Sequence, residues 1–223
     1  MSNILAVLFD LDGTLLDSEE HILTSYRYAT QKVLGSSPPD AVMRDMIGIP
    51  LIEQMRKISP EHADEMLEVY REFNQGSYHR LIKQFPGTAD TLNKLVAAGL
   101  RVAVVTSKQT SSALRDLGLF SLIETFEFVQ GADKTTRHKP EPEPLLFAAA
   151  TLGLAPEQCA YVGDSPYDMQ AARGANMYAV AALWGMFSRE RLLEAGAQAE
   201  AETITCLPAL FIHGNIAFPG VVG

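Results

Sequence analysis

The hydrophobic pattern begins with a short apolar run near the start of the chain. Residues 4–9 are all apolar, which is typical of a strand buried on both faces of a parallel sheet. The run ends at two acidic residues, Asp10 and Asp12. In open α/β sheets the ligand crevice lies at the carboxyl ends of the strands. We therefore expect both carboxylates to face such a crevice.

A different pattern follows, with helical periodicity and no convincing strand over residues 17–83. Asp17 and Glu20 have the spacing of a capping box at the start of a first helix. Ser59 and Pro60 mark the start of a later helix. An apolar stripe with helical spacing runs through Ile22, Tyr26, Ala29 and Val33. Several helices without a sheet of their own predict an all-α insertion.

Beyond residue 87 the pattern alternates between helix and strand. Apolar runs predict strands at 102–105, 160–162 and 178–182, the last of these closing the sheet, with a weaker strand at 127–129. Strands that alternate with helices form right-handed βαβ units and a parallel sheet. The predicted fold class is therefore α/β, a doubly wound parallel sheet. Its core comprises residues 1–15 and 84–223, and the helical insertion comprises residues 16–83.

Composition narrows the range of partners. The net charge of −9 over 223 residues argues against a nucleic-acid or anionic-membrane partner, because both require clustered basic residues. No apolar stretch approaches the roughly 18 residues of a membrane span. The apolar start lacks a basic leader, so we expect no signal peptide and a cytoplasmic protein. Cys159 and Cys206 form no CxxC pair, which argues against zinc and thiol chemistry, and Cys159 is expected in the core.

Four segments place polar or charged residues just past a strand or in a loop. They contribute Asp10 and Asp12, Thr106 and Ser107, Lys139, and Asp164 and Asp168. Two carboxylates about 4 Å apart repel by roughly 4 kcal/mol at an effective dielectric of about 20, so a bound cation is expected. Mg²⁺ suits such oxygen ligands. An EF-hand calcium loop is disfavoured, because Thr14 and His21 stand where it requires further ligands.

The four segments resemble, in order and rough spacing, the four motifs of the haloacid dehalogenase superfamily. The resemblance extends to about residue 210 and is closest to the phosphoglycolate phosphatase-like and pyrophosphatase-like members. It implies a Rossmann-like core with a helical cap, and Mg²⁺-dependent hydrolysis of a small phosphorylated metabolite. Inorganic pyrophosphate is the alternative substrate, and residues 48–51 and 60–74 look more like the pyrophosphatase branch.

The resemblance also implies a role for each motif residue. Asp10 is the nucleophile that forms an aspartyl-phosphate, and Asp12 is the general acid and later the base for water. Mg²⁺ is held by Asp10, the backbone carbonyl of Asp12 and Asp164. The remaining motif residues act on the phosphoryl group: Thr106 and Ser107 bind its oxygens, and Lys139 supplies a positive charge.

Some motif positions allow a purely structural interpretation. Thr106 and Ser107 also suit the cap of the next helix, and lysines such as Lys139 are usually solvated. Asp168 has capping-box spacing to Ser165. It is either a helix cap, a direct metal ligand or a group that acts on the metal through water or another ligand, and the indirect role is favoured over direct ligation.

Comparison within the superfamily disfavours two reactions. His21 falls one position short of the substrate-contacting histidine of the sugar-phosphate mutases, so a mutase is disfavoured and His21 is expected on a helix surface. The dehalogenases proper carry an aromatic residue in place of Asp12, so dehalogenation is disfavoured.

Several alternatives remain open at this stage. A phospho-acceptor module and a catalytically silent binding protein compete with the phosphatase. The cap cations Arg44, Arg56 and Lys57 either meet a second phosphate or are solvated, and Trp184 either lines the mouth of the site or packs in the core. The uncharged segment 205–223 either packs on the core, mediates self-association or projects into solvent. A monomer and a homodimer are both compatible with the sequence.

Overall fold

A six-stranded parallel sheet forms the core of the structure. The computed structural model describes residues 4–77 and 81–213. The strands of this sheet are β1 (Ala6–Phe9), β4 (Arg101–Val105), β5 (Val129–Gln130), β6 (Cys159–Gly163), β7 (Tyr178–Ala182) and β8 (Ala199–Ala201). They lie in the order β5-β4-β1-β6-β7-β8, and every neighbouring pair is parallel. The predicted α/β class with a parallel sheet is confirmed.

Helices cover both faces of this sheet. They are α5 (Thr88–Ala97), α6 (Thr110–Gly118), α7 (Glu143–Leu152), α8 (Pro166–Gly174) and α9 (Arg189–Glu194). Alternate residues of β1 belong to opposite apolar clusters: Val7 and Phe9 pack with α5 and α6, whereas Ala6 and Leu8 pack with α7 and α8. All four are fully buried. Burial on both faces explains why the strand reads as an unbroken apolar run.

A helical module is inserted after β1. Its helices are α1 (Glu19–Leu34), α2 (Asp40–Arg44), α3 (Leu51–Ile58) and α4 (Ala63–Ser77). α1 packs against α4 around a separate apolar cluster, in which Tyr26 and Tyr70 meet edge to face with centroids 5.3 Å apart. A short antiparallel ribbon, β2 (Leu16–Asp17) with β3 (Lys83–Gln84), joins the module to the core. The division into two domains at these residues stays a prediction.

Two local predictions are wrong, and a third has shifted bounds. Asp17 does not start a capping box, because it lies in β2, and α1 begins after Ser18 without a side-chain cap. The strand predicted at 127–129 lies at Val129–Gln130. β7 is not the last strand, since β8 follows it. In each case a pairing with another part of the chain overrides the local pattern.

The later part of the chain packs on the core as far as the structure describes it. Ile204 and Leu207 are buried, and Leu210 and Phe211 lie against the same apolar cluster as β1. The rest of the uncharged segment, residues 214–223, falls outside the described residues. Cys159 is fully buried, as predicted. Within the described ranges, none of the helices combines the length and apolar character that crossing a bilayer requires.

Candidate active site

The predicted motif residues meet at one edge of the sheet. β1 lies between β4 and β6, with Phe9 level with Val104 on one side and Val162 on the other. The loops that leave these three strands therefore start side by side. They carry Asp10 and Asp12, Thr106 and Ser107, and Asp164.

Three carboxylates form a buried cluster at this edge. Oxygen atoms of Asp10, Asp164 and Asp168 all lie within 4.8 Å of one another, and the three residues are at most 4% exposed. The ammonium of Lys139 lies 3.0 Å from Asp10 Oδ1 and 2.6 Å from Asp168 Oδ1. Lys139 is itself only 2% exposed, so it is not a solvated loop lysine. Two of the three acids, Asp10 and Asp168, thus share one buried cation.

The electrostatics of the cluster indicate a shortage of positive charge. Burial raises the pKa of Asp10 to about 7, with Lys139 opposing the rise and Asp168 adding to it. Burial and repulsion from Asp168 and Asp10 raise the pKa of Asp164 well above its usual value. Burial lowers the pKa of Lys139, but attraction to Asp10 and Asp168 outweighs it and raises the pKa overall. A divalent cation among these oxygens would relieve the repulsion.

The donor set fits Mg²⁺, and the ligand set that the resemblance implies stays a prediction. Hard carboxylate oxygens are the ligands that Mg²⁺ prefers, and Asp10 and Asp164 supply them as expected. Asp168 also reaches the cluster, although its oxygens are already engaged: Oδ1 with Lys139, and Oδ2 with the backbone N–H and hydroxyl of Ser165 at 3.0 and 2.6 Å. The capping box at the start of α8 is confirmed. Asp168 therefore pairs with Lys139 and caps the start of α8, and it also borders the expected metal position.

Two glycines fix the position of Asp164. A Cβ atom on Gly13 would lie 2.2 Å from Asp164 Oδ2, and one on Gly185 would lie 2.2 Å from Asp164 Cβ. Gly13 also has a φ of +79°, which other residues rarely adopt. The carboxylate accepts hydrogen bonds from the hydroxyl of Thr14 at 3.3 Å and the backbone N–H of Met186 at 2.8 Å. The Asp164 side chain is thus confined between the backbones of Gly13 and Gly185.

The side chain of Asp12 lies outside the acid cluster. Its Oδ1 accepts hydrogen bonds from the hydroxyl of Ser18 at 2.5 Å and from the ammonium of Lys108 at 2.8 Å. Burial raises the pKa of Asp12, but Lys108 and these hydrogen bonds outweigh burial and lower it. Lys108 was not singled out from the sequence. Its position directly after Thr106 and Ser107 is the one signal that pointed to it.

Thr106 and Ser107 differ in what their hydroxyls do. Thr106 Oγ1 accepts a hydrogen bond from the backbone N–H of Lys108 at 3.3 Å, and its own proton has no partner in the described part of the chain. The hydroxyl of Ser107 instead donates to the backbone carbonyl of Gly48 in the helical module, at 2.6 Å. Thr106 therefore suits the predicted phosphate contact, while Ser107 joins the core to the module.

A cavity of about 130 Å³ lies between the strand ends and the helical module. Asp10, Asp12 and Thr106 line its floor, and apolar residues of the module such as Ile22 and Ile49 line its roof. This volume is well below the roughly 300–1,000 Å³ typical of drug-sized ligands. The cavity therefore suits a small substrate.

The cations that line the cavity are not those considered from the sequence. Lys108 and Arg71 border it. Arg44 instead pairs with Glu19, and Arg56 and Lys57 are exposed outside the cavity lining. Arg71 went unnoticed because it lies on α4, whose orientation toward the sheet is a tertiary property.

His21 lies in a different place from the one expected, and Trp184 packs on the core, which is one of its two alternatives. His21 is not on a helix surface: it is 1% exposed, and its Nε2 lies 3.3 Å from the carbonyl oxygen of Asn74 on α4. Trp184 does not line the cavity. Its indole N–H donates to the carbonyl of Thr14 at 2.9 Å, and its ring meets Phe85 edge to face. Trp184 therefore supports the loop after β1 from behind.

Comparison with known proteins agrees with this geometry. The model of the haloacid dehalogenase-like hydrolase family matches residues 7–182. A Caldanaerobacter subterraneus protein named as a candidate pyrophosphatase PpaX is 38% identical over 85% of this chain and 86% of its own. Pyrophosphatase PpaX of Anoxybacillus flavithermus is 33% identical over 85% of this chain and 88% of its own.

Solved structures show the same likeness. A Haemophilus somnus protein described as a predicted phosphoglycolate phosphatase superposes with a TM-score of 0.82 at 25% identity, over 96% of this chain and all of its own. Fold, acid cluster and family match agree. The chain belongs to the haloacid dehalogenase-like hydrolase family.

Proposed function

We propose that the protein is a Mg²⁺-dependent phosphatase that hydrolyses a small phosphorylated substrate through a phosphoaspartate on Asp10. The observation that carries this proposal is the place of Asp10. Its carboxylate belongs to the buried acid cluster, pairs with Lys139 at 3.0 Å, and lines the cavity that Asp12 also lines. A nucleophile paired with a buried cation and a second carboxylate thus meet at one small cavity, as phosphoryl transfer requires.

The reaction divides into two steps on these side chains. In the first, an oxygen of Asp10 bonds to phosphorus, the bond to the leaving oxygen breaks, and Asp12, which enters this step protonated, gives that oxygen its proton. In the second, Asp12 takes a proton from water as the water oxygen bonds to phosphorus. The bond from phosphorus to Asp10 breaks and phosphate is released.

The remaining residues of the site stabilise the charge of the phosphoryl group and limit the access of water. Lys139 and the hydroxyl of Thr106 hold the phosphoryl oxygens. Mg²⁺, held by Asp10 and Asp164 with Asp168 beside them, would supply Lewis-acid stabilisation of the negative charge on the phosphoryl group. The helical module covers the cavity and limits the access of water during transfer.

Inorganic pyrophosphate is a second candidate substrate. Two relatives that cover most of the chain carry the pyrophosphatase PpaX name. Arg71 borders the cavity in addition to Lys139 beside Asp10, and these cations suit a leaving group that is itself a phosphate. The small volume of the cavity is compatible with pyrophosphate and with phosphoglycolate.

A phosphate-release screen tests both candidates. Purified protein is assayed against phosphoglycolate, pyrophosphate, sugar phosphates and nucleoside monophosphates, with and without Mg²⁺. Asp10→Asn should abolish release. Asp90→Asn, which alters an exposed carboxylate on α5 that pairs with Lys94, should leave release unchanged.

Each outcome of the screen selects a function. Release from pyrophosphate alone would select the pyrophosphatase, and release from a monoester would select the phosphatase. A stable phosphorylated protein without turnover would favour a phospho-acceptor module. The absence of both turnover and phosphorylation at saturating Mg²⁺ would overturn the proposal.

A further inference from the structure

A buried charge pair lies behind Asp12 and is not used in the steps above. The ammonium of Lys108 lies 2.8 Å from Asp12 Oδ1 and 2.6 Å from Asp116 Oδ2. Asp116, on α6, has a fully buried side chain and does not border the cavity. A buried carboxylate is costly unless it is paired. Lys108 and Arg115 supply this pairing for Asp116.

The contacts of Asp12 are confined to one of its two oxygens. Ser18 and Lys108 both donate to Oδ1. Over residues 4–77 and 81–213, no hydrogen bond reaches Oδ2, and Asp12 borders the cavity. Two donors on one oxygen fix the rotation of a carboxylate, so the other oxygen is left to exchange protons.

We propose that Lys108 and Asp116 are positioning residues that orient Asp12, so that its Oδ2 exchanges protons with the leaving group and with water. This inference rests on the proposed phosphatase function. Lysine has a flexible four-carbon side chain. Without a second partner, the Lys108 ammonium would leave Asp12 and pair with an anion bound in the cavity. Asp116 prevents this, and it is itself held by Arg115, whose Nε lies 3.1 Å from Asp116 Oδ1.

The two chemical steps depend on Asp12 to different degrees. With p-nitrophenyl phosphate the electron pair of the breaking P–O bond leaves on p-nitrophenolate, so transfer to Asp10 needs no proton from Asp12. Hydrolysis of the phosphoaspartate still requires a base to take the proton of water. A misplaced Asp12 should therefore slow the second step selectively, and phosphoenzyme should accumulate.

Asp116→Asn is the most direct test, since it keeps the shape of the side chain and leaves the cavity lining intact. Steady-state kinetics with p-nitrophenyl phosphate and acid-quenched trapping of phosphoenzyme are measured in saturating Mg²⁺. We expect kcat to fall by about tenfold or more, a part of the ~10²–10⁴-fold typical of acid–base catalysis. kcat/KM should stay within about twofold of wild type, and phosphoenzyme should be trapped. Asp12→Asn should likewise lower kcat while kcat/KM stays nearly unchanged, and its fall in kcat should be larger.

A matched control lies on the same helix. Leu117→Val alters a fully buried apolar residue next to Asp116. It should not lower kcat relative to kcat/KM, and phosphoenzyme should not accumulate. If Asp116→Asn does not fold, Lys108→Arg keeps the charge and changes its geometry, and the same fall in kcat relative to kcat/KM is expected. Equal falls in kcat and kcat/KM without trapped phosphoenzyme, or unchanged kinetics, would overturn the proposal.

Failure of the inference is distinguishable from failure of the proposed function. Turnover that survives Asp10→Asn would contradict the phosphoaspartate reaction itself. Turnover that requires Asp10 but is unaffected by Asp116→Asn and Lys108→Arg would contradict only the positioning role.

Discussion

The hydroxyl of Ser107 donates a 2.6 Å hydrogen bond to the backbone carbonyl of Gly48, and so links the loop after β4 to the helical module. The same part of the module has other attachments to the core: the hydroxyl of Tyr167 donates to the carbonyl of Asp45 at 3.0 Å, and Arg191 pairs with the Asp45 carboxylate. These contacts hold the module over the cavity.

Ser107→Ala and Tyr167→Phe should weaken this closure to a similar extent. Each removes one hydrogen bond between module and core, worth about 1 kcal/mol, which corresponds to roughly a fivefold shift toward the open form. We expect KM for p-nitrophenyl phosphate to rise up to about fivefold, with a smaller change in kcat. A fall in kcat for Ser107→Ala that far exceeds the effect of Tyr167→Phe would instead indicate that the Ser107 hydroxyl binds the phosphoryl group.

Lys139→Met should strongly destabilise the fold. It removes the cation that Asp10 and Asp168 share, and loss of one partner of a buried ion pair costs about 3–5 kcal/mol. The free energy of unfolding, measured by urea denaturation without added metal, should fall by that amount. Adding Asp168→Asn should restore part of the loss, because one of the uncompensated charges is then gone. A single variant as stable as wild type would contradict the buried pairing.

Mg²⁺ should stabilise the protein even without substrate. A ligand at about 100 times its Kd adds roughly 2.7 kcal/mol to the stability of the form that binds it. We expect a Mg²⁺-dependent rise in the melting temperature that EDTA reverses and that Asp164→Asn largely abolishes. Asp90→Asn should keep the full rise. An equal rise in wild type and Asp164→Asn would place the metal elsewhere.

Gly185→Ala should weaken Mg²⁺ binding without directly changing any ligand. The added Cβ would lie 2.2 Å from that of Asp164, so the carboxylate must move. Changes around metal ligands typically cost about 10–100-fold in affinity, and a loss in this range is expected from Mg²⁺ titration of the melting temperature. Gly76→Ala is the control, because its Cβ would meet nothing within 4 Å; it should bind Mg²⁺ as wild type does.

The central strands were predictable from sequence because burial on both faces leaves a continuous apolar run. β1, β4, β6 and β7 all have this character. β8 was missed for the opposite reason: it is a three-residue edge strand with an exposed glutamate at its centre. No local pattern distinguishes such a segment from a loop.

The site was predictable only where backbone geometry decides the outcome. Asp10 and Asp164 had to approach each other, because they follow adjacent parallel strands. The orientation of Asp12 toward Lys108 depends on rotamers and on Asp116, a residue of α6 with no motif of its own. The burial of His21 depends on where α4 packs. Both features depend on tertiary packing, which the spacing of residues along the chain does not determine.

The sheet order has a consequence for biosynthesis. β1 is made first, yet both of its neighbours, β4 and β6, are translated only after the whole helical module. Until then an apolar strand has two unpaired edges, which favours aggregation. A nascent chain that stops before Cys159 has neither the second edge partner of β1 nor Asp164. The ribosome must therefore pass β6 before both edges of β1 can be paired.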